Sequence, residues 1–230
     1  MALLSPADWA IVALSLKVGV VAVAATLPVA FSLAWVLART RFPGRIVLDA
    51  VVHLPLVLPP VVMGWLLLLG FGASGPFGRA LEAVFGTSVM FRWTGAALAA
   101  AVMALPLMVR AIRLSLEAVD PRLESAARTL GAGPWRAFAT VTLPLTLPGM
   151  IAATVLGLAR SLGEFGATIT FVSNIPGETQ TLPLAIYSAL QLPGGDVQVA
   201  RLAAISVALS LAALIASEAL ARRTGLRHVA

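Results

Sequence analysis

Two pairs of ionisable side chains in this sequence stand at a spacing that permits chemistry. Asp49 and His53 are four residues apart, and so are Arg160 and Glu164. On a helix that separation puts both members of a pair on one face. An imidazole beside a carboxylate can hold a metal ion or relay a proton. Two groups fall short of a metal's usual ligand set, and the other histidine, His228, lies in the C-terminal tail. Asp49 also has a plainer use, as the partner of Arg39 or Arg45. Arg160 and Glu164 can make a contact at the gate or mouth of a membrane pathway, or simply neutralise each other at a helix end. No serine in an apolar stretch has a base beside it, as a nucleophile requires. Cysteine is absent, which removes disulfides, thiolate metal sites and Cys nucleophiles. The single lysine, Lys17, sits in Ser15-Leu16-Lys17-Val18-Gly19, and no Gly-rich phosphate loop is present. The sequence therefore offers no catalytic centre, calls for no cofactor or metal, and leaves any ATP-driven work to nucleotide bound by another chain.

The elements that carry these residues are apolar. Of 230 residues, 60% are hydrophobic and 11% charged, too apolar a balance for a soluble domain. The expected class is an all-α polytopic membrane protein, one transmembrane domain over 1–230. Five spans are expected at about 11–38, 46–71, 94–115, 145–163 and 199–221. Pro28 should kink the first. The second carries Pro55, Pro59 and Pro60, and a helix cannot run straight through them. Within a bilayer such a break is tolerated only where protein or water meets the freed backbone groups. That makes Pro59 and Pro60 candidates for lining a pathway; a kinked packing helix is the alternative. A Gly-rich connection over 72–92 holds a short helix near Arg79–Val84, and Trp93 anchors the next interface. In 162–196 two apolar runs, Phe165–Ile175 and Leu182–Leu192, are each too short to cross. They are expected to dip into the outer mouth or lie across it.

Basic residues set the orientation. The turn 39–45, the loop 110–136 and the tail 222–230 together carry eleven Lys and Arg, against three (Arg79, Arg92 and Arg201) on the other side. The N-terminus is expected outside and the C-terminus inside. The opening residues read as a mature terminus without a signal peptide. The net charge of +6 gathers at span ends, so its expected partner is membrane lipid and not nucleic acid.

The longest charged stretch that does not span is the loop 116–144. Asp120 can cap a helix opened by Pro121. Leu123, Ala126, Ala127 and Leu130 form one apolar stripe, and Gly131 is placed to stop the helix. Such a helix is too small to hold a core alone and should dock on something. The run Ser125-Ala126-Ala127, three residues, Gly131, nine residues, Val141-Thr142-Leu143-Pro144 resembles the EAA loop of bacterial ABC importer permeases. Ser125 stands at the Glu of that pattern, with Glu124 one place early, and Val141 replaces Ile. Further runs are similar to the molybdate permeases of those importers: His53–Pro60, Ala126–Gly133, Arg160–Thr168 and Asn174–Thr181. The resemblance covers nearly the whole chain.

It implies a type I ABC importer permease fold in the bacterial cytoplasmic (inner) membrane. It implies a second copy of the permease, two ABC ATPase subunits inside and an extracytoplasmic oxyanion-binding protein outside. The coupling helix would be Arg122, Glu124, Ser125, Ala126, Ala127, Arg128, Leu130 and Gly131. Ser161 and Thr168 join Pro59 and Pro60 as pathway candidates, since hydroxyl and backbone donors can hold an oxyanion without a cation, and Glu164 joins them as a gate or mouth contact. Sulfate, thiosulfate and tungstate permeases are close relatives. A stand-alone secondary transporter, with His53 and Asp49 as a proton relay, is the alternative from another class.

Overall fold

The computed structural model describes residues 5–223. Residues 1–4 and 224–230, which include Arg227 and His228 of the basic tail, lie outside the described residues. Among those described the chain is helical, with no strand.

Helix α1, Pro6–Arg39, is opened by a capping box: the Asp8 amide donates to Ser5 Oγ, and the Ser5 amide donates to Asp8 Oδ2. At 34 residues it is about 51 Å long, longer than a bilayer core, and it is one helix through Pro28. Helix α5, Trp93–Ala118, lies at the centre, packed against α1 on one side and α8, Leu143–Leu162, on the other. Buried Ala96, Ala97, Ala99 and Ala100 cluster with Val18 and Ala22 of α1 and with Met63, Leu67 and Phe171, while Ala104 clusters with Ala30 and Ala34 of α1 and Ala153 of α8; small residues let helix backbones approach closely where lipid supplies no hydrophobic drive. Larger side chains, Met108, Ile112 and Leu116, fill the core near the Arg39 end of α1. The last described helix, α11 (Asp196–Arg223), is fastened to α1 by Arg201 Nε, 3.0 Å from the buried Asp8 Oδ2.

The second expected span is folded back on itself. Helix α2, Arg45–Val57, and helix α3, Pro60–Phe71, meet at 117° across Leu58-Pro59. Pro59 and Pro60 lack amide donors and restrict the residues before them, so the helix ends there. With 13 and 12 residues, neither half crosses a bilayer alone. The segment expected as the second span is thus a bent pair, beside four helices among the described residues that are long and apolar enough to cross by themselves; with the pair counted as one broken span there are five. Helix α4, Pro76–Phe85, fills the Gly-rich connection.

The other short segments are α6, Pro121–Thr129; α7, Pro134–Ala137; α9, Gly166–Val172; and α10, Leu182–Leu190. α7 continues through a π-helical turn, Phe138–Thr142, straight into α8. The chain from Pro134 to Leu162 is thus one continuous helical stretch that begins within the loop expected over 116–144. The π turn falls where Pro144 removes a donor and its ring would crowd the carbonyl of Thr140. α9 packs on α3. The contact is close because Gly64 has no side chain: a Cβ there would lie 2.6 Å from the Ala167 carbonyl oxygen.

Candidate functional site

Asp120 starts α6 by accepting the Arg122 amide on Oδ1 at 2.9 Å. Gly131 ends it with φ +89°, a conformation costly for any residue with a Cβ. The Ala132 amide reaches back to the Ala127 carbonyl and the Gly131 amide to that of Arg128, both at 3.0 Å, the paired closure of a Schellman end. No residue of the helix is buried. Leu123 is 48% exposed, Leu130 90% and Trp135, in the following turn, 83%. Arg122, Ser125, Ala126 and Arg128 are exposed as well, while Ala127 is half-buried. This is an apolar and basic surface on a loop, with none of the described residues covering it. Contiguous exposed apolar surface of this kind marks an interaction site.

Glu124 faces the other way. Its Oε1 accepts from Thr142 Oγ1 and lies 3.3 Å from Arg39 Nη2. Both partners were legible only as other things, Arg39 as a span-end charge and Thr142 as part of the motif spacing. The Arg39 guanidinium also sits 5.8 Å from the centre of the Trp35 ring. Trp35, Phe31, Trp135 and Phe138 line an apolar groove of about 440 Å³ beside it.

Asp49 does not pair with Arg39 or Arg45. Its Oδ1 is 3.1 Å from Arg113 Nη1, which the packing of α2 along α5 brings to it across 64 residues. Arg113 Nε also reaches Glu117 Oε1 at 2.8 Å. His53 Nδ1 lies 2.9 Å from the Asp49 carbonyl and 3.2 Å from Oδ1. A carbonyl only accepts, so Nδ1 is the nitrogen that carries hydrogen in that bond. The His53–Asp49 pair expected from spacing exists, and a guanidinium shares the same carboxylate oxygen. The cluster is an ionic tie between α2 and α5, lining a polar cleft that Arg110 and Leu114 complete.

The second expected pair also forms. Arg160 Nη1 is 2.6 Å from Glu164 Oε2, and Glu164, 3% exposed, accepts the Ala167 amide on Oε1 at 2.8 Å. Glu164 thereby caps α9 at the break after α8, and Gly166 in the next turn lies against the Pro60 ring. The two broken elements, α2–α3 and α8–α9, meet there. Pro59 and Pro60 are exposed, and Ser161 and Thr168 are buried within the single chain.

A family model described as binding-protein-dependent transport system inner membrane component matches residues 27–226. The chain belongs to this family. This permease is 60% identical over 220 residues to the molybdenum transport system permease protein ModB of Escherichia coli strain K12, covering 96% of each chain. It is 40% identical over 200 residues to the sulfate transport system permease protein CysT of the same strain, covering 86% of this chain and 70% of that one. In fold it is similar to a chain of a bacterial alginate ABC transporter crystallised with a pentasaccharide-bound periplasmic protein. That match has a TM-score of 0.74 at 18% identity and covers 95% of the permease and 80% of that chain. The permease is thus a multi-pass inner-membrane transport component with the ABC-transporter permease fold.

Proposed function

We propose that this permease is the membrane-spanning subunit of an ATP-driven importer of molybdate. It acts as a two-fold dimer, with an ATPase subunit under each coupling helix and an oxyanion-binding protein at the opposite face. Its N-terminus lies outside and its C-terminus inside, as the distribution of arginines requires. The observation that carries the ATP-driven reading is α6 with the turn after it: a capped helix with Leu123 exposed, Leu130 exposed at its end and Trp135 exposed just beyond, joined through one turn to a crossing helix. A surface so apolar, outside the expected spans, needs a protein to cover it. Molybdate as substrate rests on the 60% identity to ModB across almost the full length of both chains.

In this reading, approach of the two ATPases on binding ATP draws the coupling helices together and opens the pathway to the loaded binding protein. Hydrolysis closes it outside and opens it inside. The broken elements around Pro60 and Glu164 are where backbone groups freed from helices can line that pathway. Few cations stand in the spans, which suits a conduit that must release its ion, with selection made by the external protein.

The test is uptake by the reconstituted complex in vesicles, with ATP on the α6 side and binding protein on the other. Molybdate import is expected to require both, to fall in Gly131→Asp, and to resist excess sulfate. Import by the permease alone would refute the reading. Equal inhibition by sulfate would reassign the substrate to the class of CysT.

A further inference from the structure

We propose that Glu124 does not contact the ATPase but transmits its motion, through a three-way tie to Arg39 and Thr142. The proposal rests on the ATP-coupled reading above. α6 buries no residue of its own, and its close neighbours are the π turn and α7. Apolar packing therefore does little to fix its orientation, and a polar contact must. The structure supplies one carboxylate oxygen, Glu124 Oε1, shared by Arg39 on α1 and Thr142 at the entrance to α8. Both neighbours are themselves anchored. Thr142 is fully buried. Arg39 stacks toward Trp35, whose ring meets Phe138 edge-on at 5.1 Å. One carboxylate thus joins the docking helix to two crossing helices at once.

The pair is sheltered: the side chains of Arg39 and Glu124 are 18% and 29% exposed, so salt screens it less than an open surface pair. The directional part of the tie is the charge-assisted bond from the Thr142 hydroxyl, to which Arg39 adds an ion pair. A displacement of α6 then moves the end of α1 and the start of α8 together. Without the tie, α6 can shift on its flanking turns at Val119-Asp120 and Leu130–Gly133 while the spans stay still.

The measurement is ATP hydrolysed per molybdate imported by the vesicle-reconstituted complex, alongside the amount of assembled complex recovered. Glu124→Gln keeps the shape and removes the charge. Its complex is expected to assemble, with the ATP cost per ion rising about tenfold, as loss of a charge-assisted hydrogen bond implies. Thr142→Val, which loses one hydroxyl, is expected to raise it about threefold. Exchanging the charges, Glu124→Arg with Arg39→Glu, is expected to bring the ratio back toward wild type, a rescue that an ATPase contact by Glu124 cannot give. An unchanged ratio in Glu124→Gln overturns the proposal, and so does a fall in assembled complex with the ratio intact, which would make the contact merely structural. Either result leaves ATP-coupled import by the wild type standing. A wild-type permease that binds no ATPase, or imports without one, fails the underlying reading instead.

Discussion

A single methyl group placed on Gly64 tests how α3 and α9 are held. An ideal Cβ at this position lies 2.6 Å from the Ala167 carbonyl oxygen, 2.8 Å from Thr170 Cβ and 3.0 Å from Ala167 Cα. Two of those three atoms belong to the α9 backbone, which cannot rotate away as a side-chain tip can. Gly64→Ala must push the helices apart, at about 1–3 kcal/mol for overpacking. Alanine returns about 1 kcal/mol of helix propensity. The net effect is a loss of up to about 2 kcal/mol. Gly70, in the same helix, is the control. A Cβ there meets first a ring atom of Phe77 at 3.3 Å, and that ring can turn. Gly70→Ala keeps the propensity gain and is expected to be neutral or stabilised by up to about 1 kcal/mol. The two variants should therefore differ by about 2 kcal/mol, or about 4–8 °C in melting temperature for a chain of this size. Thermal unfolding of the purified complex in lipid nanodiscs reads the difference, and molybdate uptake should fall only in Gly64→Ala. If Gly64→Ala melts at or above Gly70→Ala, the close crossing of α3 and α9 is wrong.

Two further outcomes follow from residues at the coupling and break sites. Leu130→Ser should change folding stability by less than about 0.5 kcal/mol, because the side chain is already solvent-facing, yet weaken ATPase binding about tenfold as loss of a docking hot spot does; equal affinity would remove Leu130 from the contact. Glu164→Gln should cost about 1–3 kcal/mol in thermal unfolding, since it strips a buried, doubly bonded carboxylate of its charge. Adding Arg160→Gln should then cost less than its effect alone, and strict additivity in that cycle would show that the two do not act as a pair.

Much of the architecture was legible because the residues that interrupt helices are Pro and Gly. Pro59-Pro60, Gly131 and Gly163 mark ends that the backbone obeys, and the paucity of charge between them marks the spans. The Arg160–Glu164 and Asp49–His53 pairs were legible because spacing within one helix fixes which side chains share a face. Partners from other helices were not. Arg113 and Asp49 are 64 residues apart, and nothing local distinguishes Arg113 from Arg39 or Arg45 as the nearest cation. Nor could the motif say which way Glu124 points. Its helical face is clear from sequence, but what lies on that face depends on how α1 and α8 end beside it. The 117° fold between α2 and α3 was foreseen as a break and not as a turn, because three prolines say that a helix stops and not where the chain goes next. Ser161 and Thr168 stood out for their hydroxyls; the burial of Thr168 follows from α9 lying against α3 and α5, where Gly64, a residue with no chemistry to draw attention, permits the close approach.

The uninterrupted rod from Pro134 through the π turn to Leu162 has a mechanical consequence. Its 29 residues extend about 44 Å, with Trp135 near one tip and Glu164 just past the other. Tilted about its midpoint by 10°, such a lever carries each tip through about 4 Å in opposite senses. A small push at the Trp135 tip is thus felt, reversed in direction, at the junction of the two broken helices.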